Sequence, residues 1–144
     1  MVGVRQLLKQ KGTAAYTISP RATVLDALRE MAEHDVGALV VVEAGEVRGV
    51  VSERDYARKV ILRGKASADT SVSDIMSDVV VSVTSKESID GCMAQMTDKR
   101  VRHLPVIEDG LLMGIISIGD VVKAIIESQK HEIEELEGYI TGSR

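Results

Sequence analysis

Two segments of the chain, 65 positions apart, carry the same reactive residue types at the same spacing. One reads Gly49-Val50-Val51-Ser52-Glu53-Arg54-Asp55 and the other Gly114-Ile115-Ile116-Ser117-Ile118-Gly119-Asp120. In each, an apolar run ends on Ser, and Asp follows three residues later, in the first turn of an expected helix. A helix start offers unpaired N–H groups and a partial positive charge, which suit a phosphate. A carboxylate held there can accept two hydrogen bonds from adjacent hydroxyls, the pattern of a ribose 2′,3′-diol. Ser52, Asp55, Ser117 and Asp120 are therefore candidate ligand-binding residues. The same pairing is also the N-terminal capping signature. For one copy alone capping is the simpler explanation; two copies at one register, each after a Gly, shift the balance toward binding, and the two uses can coexist.

Charge adds to the pattern. Arg54 and Arg58 are four apart and share a helix face, where two guanidinium forks match phosphate oxygens. A solvated basic face is the competing explanation. In the second half, Lys99-Arg100-Val101-Arg102-His103-Leu104-Pro105 is a basic cluster leading into a strand, within a chain of net charge −4. Ion pairs with the abundant acids would also account for it. His103 could reach a phosphate or base, although a lone His is more often a partly buried strand residue.

Covalent chemistry finds little support. His34, His103 and His131 are scattered, and no Ser/His/acid constellation, His-x-x-x-His pair or Gly-x-x-x-x-Gly-Lys loop occurs. Cys92 is the single Cys, which excludes an internal disulfide and a Cys-rich metal site. The expectation is a protein that is not an enzyme, with no metal and no catalytic cofactor.

The elements that must hold these residues repeat. Residues 17–62 align without a gap on 82–127, with ten identities among 46 pairs, including Met31/Met96, Leu39/Leu104, Gly49/Gly114, Ser52/Ser117 and Asp55/Asp120. Each half reads β-α-β-β-α. A short apolar step (Tyr16–Ile18; Val80–Val83) precedes a helix (Val24–Glu33; Ile89–Asp98). A hairpin follows (Ala38–Val42 and Val47–Val51; His103–Ile107 and Leu112–Ile116), its turn ending on Gly45 or Gly110. A second helix closes the unit (Arg54–Leu62; Gly119–Glu127). The expected fold is α/β, of the α+β kind, with two pseudo-symmetric repeats packed sheet to sheet. The expected organisation is a first repeat over 4–63, a polar linker over 64–72, a second repeat over 73–127 and a helical tail over 128–144. Val2–Gln10 reads as a short amphipathic helix, and Ile133, Leu136 and Ile140 in the tail are spaced to pack on something, a partner chain or the chain's own surface.

Composition narrows the class. At 144 residues, with 44% hydrophobic residues but no Phe or Trp, the core must be aliphatic. The acidic balance and the scarcity of aromatics argue against a nucleic-acid partner. No apolar run approaches the roughly 20 residues of a membrane span, and Met1–Lys11 is too short and polar for a signal peptide, so a cytoplasmic protein without a membrane partner is expected.

The repeated unit with Gly-x-x-Ser-x-x-Asp resembles the cystathionine-β-synthase (CBS) domain, and the pair resembles a free-standing Bateman module; Ser52–Lys59 is especially similar to small bacterial and plant CBS-pair proteins. The resemblance implies an adenosine derivative (AMP, ADP, ATP, NAD or S-adenosylmethionine) in one or both clefts between the repeats. By position, Asp55 and Asp120 would hold ribose hydroxyls, with Ser52 and Ser117 near the ribose or α-phosphate. Main chain around Thr17-Ile18 and Ser82-Val83 would read the adenine edge, the apolar strands would sandwich the ring, and Gly37-Ala38 and Arg102-His103-Leu104-Pro105 would line opposite walls. Arg54 and Arg58 would meet phosphates, those of a ligand in the cleft of the second unit. Gly119 stands where the first half has Arg54, so the two clefts are expected to be unequal, the one poorer in basic residues being weak or empty. The resemblance further implies a homodimer and a regulatory role read by a partner protein, with an interaction module lacking a physiological nucleotide as the alternative.

Overall fold

The computed structural model describes residues 3–141, the side chains of 139–141 excepted, so the expectation for Ile140 falls outside the described residues. Helix α1 spans Val4–Lys11, strand β1 Thr17–Ile18, α2 Val24–His34, β2 Ala38–Glu43 and β3 Glu46–Ser52. Helix α3, Glu53–Tyr56, runs on into a π turn, Ala57–Ile61. A 3₁₀ turn (Ser67–Asp69) and α4 (Val72–Ile75) lead to α5 (Ile89–Lys99), β4 (His103–Glu108), β5 (Leu111–Ser117) and α6 (Ile118–Thr141). The expected helix, hairpin and second helix are present in both halves.

The chain divides into two compact units. One contains Ala14–Val80 with Asp109–Met113; the other contains the chain to Thr13, Val81–Glu108 and the chain from Gly114. In the first, β1 pairs parallel with β2 and β2 antiparallel with β3. Its core gathers Val24, Ala27 and Met31 of α2, Leu39, Val41 and Val51 of the sheet, and Val60, Val72 and Ile75. These alternate along the strands and recur three and four apart along α2, as the two periodicities require. The polar stretch expected as a linker is structured within this unit: Thr70 is buried, its hydroxyl donates to Ala66 O at 2.8 Å, and its carbonyl accepts from Val24 N–H.

The second unit has an extra component. Helix α1, which sequence order groups with the first repeat, buries Val4, Leu7 and Leu8 in one cluster with Ile89, Cys92, Met96, Leu104, Val106, Ile116 and Val121. Main-chain bonds from Val4 N–H to Glu87 O (2.9 Å) and Arg5 N–H to Ser85 O (3.1 Å) fix it there. The second repeat also departs from the expected strand over Val80–Val83, of which only a parallel bridge, Val83 to Val106, remains. In the first repeat Val40 N–H donates to Tyr16 O at 3.0 Å. The equivalent of Val40 is Pro105, which has no N–H to give, so the second sheet is two-stranded.

The hairpins repeat at backbone level. Ala44 and Gly45 (φ 52° and 79°) form a two-residue turn of the type that needs positive φ twice, and Asp109 and Gly110 (φ 50° and 77°) form the same turn. The last helix is a single element of 24 residues, longer than the repeat needs, and its Ile133 and Leu136 are exposed. No described helix is long and apolar enough to cross a membrane.

Candidate functional site

The residues singled out by sequence form the same construction in each unit. In the first, Ser52 Oγ accepts from Asp55 N–H at 3.2 Å, and Asp55 Oδ2 accepts from Ser52 N–H and Ser52 Oγ–H, both at 3.0 Å. In the second, Ser117 Oγ accepts from Asp120 N–H at 3.1 Å, and Asp120 Oδ2 accepts from Ser117 N–H at 2.8 Å. The capping explanation thus holds in full for both, and it also sets what a ligand could use. One carboxylate oxygen of each Asp is committed to the cap and the other is oriented by it.

The strand beside each helix start is tied to it. Glu53 N–H donates to Gly37 O at 3.0 Å, and Ile118 N–H donates to Arg102 O at 2.8 Å, an equivalence at the same 65-residue offset. Gly37 and Ala38 are thereby brought to Ser52 and Asp55, and Arg102 and His103 to Ser117 and Asp120. The glycines before each Ser answer to packing. A Cβ on Gly49 would stand 2.3 Å from Ser77 O, because Ser77 forms an antiparallel bridge with Val50. A Cβ on Gly114 would stand 2.9 Å from Leu8 Cδ2. Different segments press on the two strands: fixed main chain at Gly49, the end of a side chain at Gly114.

Each Asp has a lysine beside it, from a different element. Lys59 Nζ lies 3.3 Å from Asp55 Oδ1 and donates to Ile75 O at 2.8 Å. Lys11 Nζ lies 2.6 Å from Asp120 Oδ2 and donates to Ile115 O at 2.8 Å. The repeat equivalent of Lys59 is Ala124, so nothing in the internal alignment points to Lys11. The expected inequality of the two sites rested on Gly119 standing for Arg54; the basic group beside Asp120 is Lys11, the last residue of α1, which docks in this unit. Burial pushes the Asp120 carboxyl up, but hydrogen bonds from Lys11 and Ser117 with the Lys11 charge outweigh it, and its pKa lies below the usual 3.8. Asp120 is therefore an ionised acceptor throughout the neutral range.

Other candidates divide by exposure. Arg54, Arg58 and Arg102 are exposed, and none of their guanidinium groups is ion-paired among the described residues. Arg54 and Arg58 stand one turn apart across the junction of α3 with the π turn. Leu104 and Pro105 are buried, Leu104 within the core of its unit, and Ala38 is 5% exposed. Thr17 is exposed and Ile18 half-buried on β1. Val83 is buried, and both its main-chain groups are spent, N–H on Pro105 O (3.0 Å) and C=O on Ile107 N–H (2.9 Å). Ser82 is exposed, and among the described residues its main chain makes no bond to β4. Elsewhere, Glu30, Glu33 and His34 bring three donor atoms within 4.8 Å of one another, but His34 is paired to Glu30 at 3.2 Å and stacked on Tyr16 at 3.7 Å.

With this geometry in place, comparison with known proteins decides the family. The CBS domain family matches residues 12–62 and again 72–127. The chain belongs to the CBS domain family. It carries two such domains in tandem. A mitochondrial CBS domain-containing protein of Arabidopsis thaliana, CBSX3, is 40% identical over 96% of this chain and 72% of its own. YhcV of Bacillus subtilis, also a CBS domain-containing protein, is 34% identical over 76% of this chain and 77% of its own. Among solved structures, a CBS-domain-containing protein from Agrobacterium tumefaciens is 43% identical with a TM-score of 0.81, covering 85% of this chain and 98% of that one. The CBS-domain pair of protein MJ0100, solved in complex with 5′-methylthioadenosine and S-adenosyl-L-methionine, shares the fold at 19% identity (TM-score 0.79, 89% of this chain and 98% of that one).

Proposed function

We propose that this CBS-domain pair is a regulatory sensor of an adenosine nucleotide, of the AMP, ATP or NAD kind, and that it performs no covalent chemistry. The observation that carries the reading is the doubled helix start, in which Ser52 with Asp55 and Ser117 with Asp120 repeat one hydrogen-bonded arrangement. In it each Asp accepts ribose hydroxyls, with Ser52 and Ser117 near the ribose or α-phosphate. Arg54 and Arg58, unpaired among the described residues, neutralise phosphate oxygens. Thr17 and Ile18 in one unit, and Ser82 in the other, offer main chain to an adenine edge, with Ala38 and His103 at the starts of the strands, and Gly37 and Arg102 just before them, tied to the helix starts. Adenosine ligands in the MJ0100 domain pair support the ligand class through the shared fold.

A sensor acts through linkage. A nucleotide that binds one conformation better shifts the population toward it, and a partner protein that distinguishes the two conformations reads the shift. The proposed setting is cytoplasmic; because the Arabidopsis relative is mitochondrial by name, fractionation of the native cell checks this. The test of ligand class is thermal shift against AMP, ATP, NAD and S-adenosylmethionine. A saturable rise with at least one supports the reading, and no rise with any overturns it.

A second reading has one observation behind it. Ile118, Val122 and Ile126 of α6, spaced four apart, are all exposed, as are Ile133 and Leu136 further along. A homodimer would cover such a face, and a dimerisation or interaction module with no physiological nucleotide would need only this surface. Ultracentrifugation of the wild type beside an Ile126→Lys variant tests the dimer independently of ligand.

A further inference from the structure

We infer that Lys11 is a specificity residue, which makes the Asp120 site select anionic nucleoside 5′-phosphates over neutral nucleosides; this rests on the nucleotide reading above. The argument begins with how the carboxylate is used. Asp120 Oδ2 takes both Ser117 N–H (2.8 Å) and Lys11 Nζ (2.6 Å). Oδ1 makes no hydrogen bond among the described residues, so the oxygen left for a diol is already flanked by a cation. At Asp55 the arrangement differs: the cap holds Oδ2 and Lys59 stands against Oδ1. The second repeat therefore offers the more open carboxylate.

An ammonium has three donors and no acceptor. Lys11 spends one on Asp120 and one on Ile115 O. The third is unspent, and the side chain is 29% exposed beside a carboxylate 24% exposed. A ligand whose sugar meets Oδ1 and that carries a phosphate brings anionic oxygens toward that donor. The ion pair also cancels the carboxylate charge, so an incoming phosphate meets a neutral pair rather than a lone anion. Lys11 is positioned by the docking of α1, since it lies one turn beyond buried Leu8, whose side chain packs against Gly114. Without the ammonium, the phosphate of a ligand whose sugar meets Oδ1 would face an uncompensated carboxylate from across the ribose, a difference worth about tenfold in affinity.

The experiment is calorimetric titration of AMP and adenosine into the full chain as wild type, Lys11→Met and Lys11→Arg, with a melting curve for each. Lys11→Met is expected to weaken AMP about tenfold and leave adenosine within about twofold, while Lys11→Arg keeps the preference for AMP. An unchanged ratio in Lys11→Met overturns the inference, as does an equal loss for both ligands, or a loss in Lys11→Arg as large as in Lys11→Met. Wild type that binds neither ligand would instead bring down the nucleotide reading itself. Should Lys11→Met not fold, Lys11→Gln, which keeps a polar end without the charge, reads the same ratio: the AMP preference should shrink about threefold or more, and an unchanged ratio overturns the inference.

Discussion

Lys11, the last residue of the first helix, lies with its Nζ 2.6 Å from Asp120 Oδ2, a carboxylate 109 positions later in the chain. The contact ties the N-terminal segment to the helix start that carries the second candidate site. It has a consequence for acid stability. The folded Asp120 carboxyl lies below its ordinary 3.8, so its contribution is present above that value and lost as pH falls through the folded one. Removing Lys11 takes away much of what lowers it. Acid unfolding of Lys11→Met followed by circular dichroism should therefore begin at higher pH than in wild type. Coincident curves would show that the pair contributes nothing.

The two motif glycines should differ in what they tolerate. Alanine at position 49 would press on Ser77 main chain, which is held by the bridge to Val50, whereas alanine at 114 would press on the end of the Leu8 side chain. Overpacking against fixed backbone costs more than against a side chain that can turn aside. Gly49→Ala is expected to lose about 3 kcal/mol and Gly114→Ala about 1 kcal/mol in urea unfolding. The reverse order would contradict this packing.

How much of this was legible beforehand follows from how local each signal is. The hairpins and helix starts were readable, because Ala44-Gly45, Asp109-Gly110 and the Ser/Asp pairs act on their own neighbours within three residues. The allegiance of α1 was not, since Val4 meets Glu87 and Lys11 meets Asp120 across distances that leave no periodicity. Val80–Val83 has the apolar composition of a strand, yet strand formation depends on a donor that Pro105, on another element, does not supply. The helix after Asp55 was foreseen, but its π turn at Ala57–Ile61 was not. The candidate site was legible as residue types and spacing, and Lys59 stands four residues after Asp55 on the same run of helix; the cation at Asp120 was not legible, because Lys11 comes from an element 109 positions away.

Ala44 is a plain L residue in the left-handed region at φ 52°, while its counterpart Asp109 at φ 50° has a side chain that tolerates it. Ala44→Asn should stabilise the protein by about 1 kcal/mol, seen as a higher Tm, and Asp109→Asn should change little. A lower Tm for Ala44→Asn would mean that the turn is not limited by backbone strain.

Cys92 is fully buried, and desolvation, with the Glu87 charge, pushes its thiol from 9.0 up to about 11. The folded protein should resist iodoacetamide at pH 7.5 and react fast once unfolded in urea. Because the folded thiol holds its proton more tightly, the associated stability is intact below pH 9 and is lost as pH rises toward 11. Rapid labelling of the native protein at neutral pH would contradict the burial.

The most direct test of the account is whether the capped carboxylate reads a diol. Calorimetric titration of AMP against 2′-deoxy-AMP isolates one hydroxyl. Wild type is predicted to bind AMP roughly tenfold more tightly, with Asp120→Asn, which keeps the side-chain shape, narrowing the gap. Equal affinities of wild type for the two nucleotides would contradict the claim that these helix starts hold a ribose.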